Sequence, residues 1–162
     1  MTAYSRTVDR DGNRVPIYGL SGLPFKEKKT ITFDGGTTNA IGDHDGTGDP
    51  FTIFTVTGDV LVEVVGVVKT TLVGAATLEV GVTGATAAIL AQVADATTLA
   101  VNEFWAADNS VSLAEGFAPS VHGIGGGLDI IGTVGTANIT AGVIDFYCYW
   151  LPVSDDGNVV AA

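Results

Sequence analysis

Short runs of alternating apolar and polar residues recur from about residue 30 onwards, and glycine-containing turns separate them. A period of two places successive side chains on opposite faces of a β-strand, so each run predicts a strand. The predicted strands are residues 31–33, 51–57, 60–70, 76–82, 128–134 and 143–151, with 86–93 either a strand or a short helix. The pattern therefore predicts an all-β fold, an antiparallel β-sandwich resembling a jelly roll.

The longest alternating run, residues 60–70, has two different faces. One face is apolar and suits a dry core: Val60, Val62, Val64 and Val68. The other face mixes charged and apolar side chains, which is too polar for a core and too apolar for open water. We therefore predict that a neighbouring subunit covers its apolar members: Leu61, Val65 and Val67.

The strand predicted at 143–151 has the most regular alternation in the chain. Its apolar face consists of Ile144, Phe146, Cys148 and Trp150. Its second face carries Asp145, Tyr147 and Tyr149. Pro152 ends the strand because proline lacks the backbone donor of a sheet ladder. We place the sandwich domain at residues 30–153 and a C-terminal tail at 154–162.

Residues 1–29 predict an extended arm, because glycine and proline interrupt every helical pattern there. Apolar residues are spaced through the arm, which favours an arm that lies along a neighbouring surface over a solvated leader. Its predicted partner-binding residues are Tyr4, Arg6, Arg10, Arg14, Ile17, Tyr18, Phe25, Lys26, Lys28 and Lys29.

Charge divides the chain in the same place as the strand pattern. Six cations and three acids give residues 1–29 a net charge of +3, while Lys69 and 15 acids give the remainder −14. Phosphates would be repelled by such a body, so we expect no nucleic-acid partner. A basic arm on an acidic domain favours an interaction protein over an enzyme.

Composition narrows the class further. Only 15% of the 162 residues are charged, against about 25% in average proteins, which predicts that other subunits cover part of the surface. The single cysteine excludes an intrachain disulfide. The sequence contains no run of 18 consecutive apolar residues, so we predict no membrane-spanning helix. The N-terminus lacks the apolar core of a signal peptide, and the chain, which starts with Met1, is expected to be intact.

One polar loop has the composition of a cation site. Asp43, Asp45 and Asp49 alternate with glycines within seven residues, and Ca²⁺ binds six to eight oxygens on flexible loops. The spacing departs from that of an EF-hand and lacks its final glutamate, so a solvated loop is favoured. His44 and His122 have no partner at metal-ligand spacing, and we expect each to be an exposed loop histidine.

Candidate catalytic groups are few. Cys148 falls on an apolar strand face, which is typical of a buried structural cysteine. Glu63 and Glu79 are expected on the outward faces of adjacent strands as solvated charges rather than as an acid–base pair. Tyr147, Tyr149 and Trp105 are candidates for a sugar-stacking platform, although core packing is the favoured explanation. No cofactor or metal is predicted.

Four segments carry a resemblance to a known class: 54–68 (FTVTGDVLVEVVGVV), 76–92 (ATLEVGVTGATAAILAQ), 101–105 (VNEFW) and the run from 129 (DIIGTVGTANITAGVIDFYCYWLPVSDDGNVVAA). Together they resemble small proteins encoded among the head genes of tailed bacteriophages, of the head decoration or cement class. The similarity spans most of residues 30–162 and does not extend to the arm.

The resemblance implies a non-enzymatic protein on the outer surface of the virion head. Its implied partners are the major capsid protein and further copies of itself, commonly as a homotrimer, so that it stabilises the capsid lattice against internal DNA pressure. The alternative expectation is a receptor- or glycan-binding β-module such as a virion fibre or spike head, which the exposed tyrosines motivate. Neither function involves a membrane partner.

Overall fold

The computed structural model describes residues 22–106, 109–111 and 120–162. The strands in these ranges are β1 (Phe25–Thr32), β2 (Phe51–Thr57), β3 (Val60–Val73), β4 (Thr77–Val82), β5 (Ala85–Val93), β6 (Phe104–Ala106), β7 (Asn109–Val111), β8 (His122–Ile124), β9 (Ile130–Gly135), β10 (Ala141–Pro152) and β11 (Asn158–Ala161). A three-residue 3-10 helix, Ala96–Thr98, is the only helix there. No helix in this part of the chain has the length and apolarity needed to cross a bilayer.

The strands form two antiparallel sheets, which confirms the predicted all-β sandwich. The first sheet has the order β1-β10-β3-β6-β7, and β8 also pairs with β3. The second sheet has the order β11-β2-β9-β4-β5. The two longest strands, β3 and β10, pair with each other in the first sheet and contribute the longest apolar faces.

The core lies between the sheets and uses the apolar faces that the alternation predicts. The even-numbered valines of β3 are buried, as are Ile144, Phe146 and Cys148 of β10. The Trp105 ring of β6 lies against the Phe146 ring, with their centroids 6.1 Å apart. Each large buried side chain contributes about 1.5–3 kcal/mol, so packing holds the fold without a disulfide.

The first strand begins earlier than the sequence analysis places it. β1 starts at Phe25, and all eight of its residues pair with β10. The boundary proposed after residue 29 therefore lies inside an edge strand of the first sheet. The sequence analysis missed the start of this strand because three lysines are unusual in a central strand. An edge strand tolerates lysines, which discourage pairing with another chain.

The C-terminal residues also differ from the expectation. Residues 158–161, predicted as part of a tail, form β11 and pair with β2 along the edge of the second sheet. The Val159 side chain is buried in the core. Four residues are too few for a periodic signal, so pairing with β2 decides this strand.

The ambiguous stretch 86–93 is strand, as part of β5. Its residues pair with β4, which supplies hydrogen-bond partners that an isolated short helix lacks. The 3-10 helix follows directly, and Asp95 caps it by accepting a hydrogen bond from the backbone N–H of Thr97 at 3.0 Å.

Candidate functional site

The outer face of the first sheet gathers three of the four cations in the described part of the chain. β1 presents Lys26 and Lys28 there, and β3 presents Lys69. Between them lie Tyr149, opposite Lys26, and Tyr147, opposite Lys28. The three lysines are exposed and both tyrosines are half-buried. We call these five residues the cationic face.

A buried carboxylate anchors this face. Asp145 of β10 lies 2.8 Å from the Lys28 ammonium and accepts a hydrogen bond of 2.6 Å from the Thr30 hydroxyl. Burial acts to raise the pKa of Asp145, but these two hydrogen bonds and the charges of Lys28 and Lys69 outweigh it and hold the pKa below its usual value. The hydrogen bond between Lys28 and Asp145 also raises the pKa of Lys28. Both groups therefore stay charged at neutral pH.

Two lysines flank one aromatic ring on the cationic face. The Nζ atoms of Lys26 and Lys28 lie 5.8 and 5.7 Å from the centroid of the Tyr147 ring. Cation–π contacts of this length are weakly attractive at an exposed site. Burial, with the charge of Glu63 and the proximity of Tyr147, raises the pKa of Tyr149, so its hydroxyl stays protonated.

The two glutamates considered for acid–base work are far from equivalent. Glu63 is fully buried on the outer face of the first sheet, which contradicts the expected solvated charge. Glu79 belongs to β4 in the second sheet and accepts a hydrogen bond of 2.7 Å from the Gln92 amide. The expectation of adjacent strands is therefore wrong. Alternation predicts which way a side chain points but not what covers it.

The three residues predicted as a subunit interface lie on the same outer face. Leu61 and Val67 are partly exposed, whereas Val65 is 4% exposed within a single chain. A partner would therefore gain contact area from Leu61 and Val67 but little from Val65.

Two aspartates of the acidic loop accept hydrogen bonds from backbone N–H groups. Asp43 accepts one of 2.8 Å from the backbone N–H of Asn39, and Asp49 accepts one of 2.8 Å from that of Val134. Asp45 points to solvent. Among the described residues, no three His, Cys, Asp or Glu side chains form a group that fits a metal ion.

The histidines and the cysteine occupy different settings. His44 is a loop residue, and its Nδ1 atom lies 2.5 Å from the Asn138 side-chain oxygen. His122 belongs to β8 rather than to a loop, and partial burial lowers its pKa, so the prediction of an exposed loop histidine is wrong there. Cys148 is buried as expected, and burial together with the charges of Glu27 and Glu63 raises its pKa.

The proposed sugar platform loses one member. Trp105 is fully buried in the core and offers no surface for stacking. Tyr147 and Tyr149 remain as the partly exposed aromatic pair.

Residues assigned to the arm fall into two groups. Phe25, which stacks on Trp150 with ring centroids 4.7 Å apart, and Lys26, Lys28 and Lys29 belong to β1. The remaining six lie outside the described residues: Tyr4, Arg6, Arg10, Arg14, Ile17 and Tyr18. Lys29 faces the other sheet edge, where its ammonium contacts the carbonyl oxygen of Ala162.

Sequence reasoning missed Lys69 and the anchoring by Asp145 and Thr30. The alternation places Lys69 on the right face of β3, but nothing local predicts that β1 and β3 flank β10. That adjacency comes from pairing between residues that are 68 to 125 positions apart in the chain.

An open groove of about 310 Å³ lies at the end of β3, between the turns that follow β8 and β10. Leu61 and the exposed Val153 form its apolar walls. Its one carboxylate, Asp59, already accepts a hydrogen bond of 2.8 Å from the backbone N–H of Gly126. The groove therefore holds no pair of groups suited to acid–base chemistry.

Comparison with protein-family models, with curated proteins and with solved structures found no match to this chain.

Proposed function

We propose that this chain is a non-enzymatic structural protein that binds the outside of a tailed-phage head as a decoration protein. The observation that carries the proposal is where the basic segment joins the domain. Residues 1–21, which include Arg6, Arg10 and Arg14, lead into β1 at the margin of an acidic sandwich. A segment that enters at a margin can reach a neighbouring molecule without crossing its own domain, which suits a tether to a larger assembly.

The strand order supports a jelly-roll topology for the sandwich. The first sheet contains the strand order β1-β10-β3-β8, and it faces the order β2-β9-β4-β5 in the second sheet. Strand β6 pairs with β3 beyond the residues that pair with β8. Jelly rolls serve in viral capsid and lectin domains, although this is an analogy at the level of the fold. We further propose a homotrimer on the capsid lattice, with Leu61 and Val67 at the contact between copies and the major capsid protein as the second partner.

The test is binding of the purified protein to heads of the encoding virus that lack it. Because β1 starts at Phe25, the informative truncation removes residues 1–21 and spares the sheet. We expect the truncated protein to keep its β-type circular dichroism and to lose head binding. A full-length variant with Arg6→Gln, Arg10→Gln and Arg14→Gln keeps the apolar residues of the arm and isolates its charge.

Two outcomes would contradict the proposal. If the truncated protein decorates heads as well as the intact protein does, the arm has no role in attachment. If the intact protein never associates with heads, the decoration function itself is wrong. Raised salt should weaken attachment where the arginines contribute, because screening reduces exposed ion pairs.

The second candidate function is a receptor- or glycan-binding module. The partly exposed Tyr147 and Tyr149 on one sheet face favour it, since aromatic faces stack on sugars and jelly rolls occur among lectins. A glycan array separates the two functions: specific signal that is lost in Tyr149→Ala supports the module, and no signal argues against it.

A further inference from the structure

We propose that the cationic face is a docking surface for a compact acidic patch on a partner protein. The inference rests on the proposed function and names the surface and the partner's chemistry. Within the described ranges, 14 acids stand against four cations, and three of those cations share this one face. Among the described residues, the two acids on the same face, Asp145 and Glu63, are both buried. In this part of the chain, the charged groups that the face exposes to a partner are therefore the three lysines.

Two of the three lysines make contacts within the chain before any partner arrives. Asp145 fixes Lys28 at 2.8 Å, and the Tyr147 ring lies under both Lys28 and Lys26. Ordering long side chains is a cost of association, and these contacts reduce it. Tyr149 and Tyr147 add flat apolar area between the charges, and tyrosine is enriched in protein interfaces.

The size of the face selects the kind of partner. Lys26 and Lys69 are about 10 Å apart across the sheet, because β10 lies between β1 and β3. The register places Lys26 opposite Tyr149 and Lys69 beside Val143, so they are also about 18 Å apart along the strands, and the face is about 20 Å long. Screening confines electrostatic attraction to about 8 Å at physiological salt. A few carboxylates spread over about 20 Å of a partner's surface place a negative charge within that distance of each lysine. An extended polyanion such as DNA would continue onto the acidic remainder of the domain and be repelled there.

The test uses the full chain, labelled with ¹⁵N, and a hexaglutamate peptide as the acidic probe. We expect the peptide to shift amide resonances of β1, β10 and the end of β3 that carries Lys69. The variant Lys26→Gln/Lys69→Gln should bind the peptide about fivefold more weakly, because exposed ion pairs each change binding by up to about that factor. A short DNA duplex should bind more weakly than the peptide at equal salt.

The matched control is Thr55→Glu/Thr57→Glu. These threonines are exposed on β2 of the second sheet, and both double variants have a net charge of −13 where the natural chain has −11. The control should bind the peptide within about twofold of the natural chain, because screening limits the effect of distant charge. Equal weakening in both variants would show a net-charge effect and overturn the proposal.

Other outcomes also decide the matter. Shifts confined to residues 1–21 would assign acidic binding to the arm and overturn the proposed surface. Tighter binding of DNA than of peptide would overturn the class of partner. On heads, a Lys26→Gln/Lys69→Gln protein that binds as well as the natural chain refutes the surface and leaves the decoration function intact. Loss of head binding by every protein, with the peptide result unchanged, refutes the function instead.

Discussion

β1 and β5 each end a sheet in the described part of the chain, β1 in the first and β5 in the second. β1 carries three lysines among its eight residues and pairs with β10 in unbroken register. β5 carries no charged residue among its nine, and its register against β4 shifts twice. Five residues of β4 are opposed by nine of β5, so the extra residues bulge out of the ladder.

The difference shows two ways of preventing edge-to-edge pairing in one sandwich. A regular edge offers a continuous row of backbone donors and acceptors, and lysines on it repel a second strand. A bulged edge is bent and offers no straight row, so it needs no charge. In this chain β1 also follows the basic N-terminal segment. The strand that protects its sheet edge is therefore the one that leads from the segment proposed for attachment.

The largest effect is expected from removing most of β1, the regular edge strand. Deleting residues 1–29 takes five of the eight residues of β1, including Phe25 and its stack on Trp150, and leaves β10 exposed. We expect Tm to fall by about 6–20 °C, because a loss of about 3–5 kcal/mol is worth about 2–4 °C per kcal/mol in a chain of this size. Deletion of residues 1–21 is the control and should leave Tm within a few degrees. Equal melting of the two proteins in thermal scans would show that β1 contributes nothing to the fold.

The next test acts on the irregular edge. A Cβ at Gly81 would lie 2.1 Å from the carbonyl oxygen of Ala85, where β5 bulges across β4. We expect Gly81→Ala to lower the free energy of unfolding by about 1–3 kcal/mol, because backbone must move to relieve the clash. Gly36→Ala is the matched control, since its Cβ would meet only atoms of Thr140 at 3.9 Å. Urea unfolding measures both, and a neutral Gly81→Ala would mean that β5 does not need its bulge.

A third prediction concerns the anchor beneath the cationic face. We expect Asp145→Asn to cost about 1.5–3 kcal/mol at neutral pH, because it removes charged hydrogen bonds to Lys28 and Thr30. The folded pKa of Asp145 lies below its unfolded value, so this stabilisation is fully present above the unfolded pKa and is lost as pH falls through the folded one. The gap between natural and variant proteins should therefore close below about pH 4. A gap that stays constant from pH 7 to pH 2 in urea titrations would contradict this account.

The smallest expected effect on stability comes from the edge lysines. Lys26→Gln/Lys29→Gln should change the free energy of unfolding by less than about 1 kcal/mol, as exposed charges usually do. The same variant should self-associate more at high protein concentration, because the edge of β1 loses its repulsion. Sedimentation velocity measures this, with Lys69→Gln as a control that removes a charge from the same sheet but not from an edge. Equal sedimentation of the two variants would show that the lysine charges do not protect the edge of β1 from self-association.

The sequence was sufficient for the elements with long, regular alternation. The core faces of β3 and β10 follow from a period of two, as does the burial of Cys148. It was insufficient for β11, whose four residues carry no periodic signal, and for the start of β1, where lysines suggested an arm. In the candidate site, sequence reasoning named Lys26 and Lys28 as binding residues but not Lys69.

What the chain determined by itself is local: which side chains share a face of a strand, where glycine and proline interrupt it, and how the charge divides between the two ends. Tertiary structure alone decided which strands are neighbours. That adjacency brought Thr30 to Asp145 across 115 positions, buried Glu63 and Trp105, and set Lys69 close enough to Asp145 to act on its charge. The physical reason is that alternation is a property of neighbouring residues, whereas burial and ion pairing depend on strands that meet only after the chain has folded.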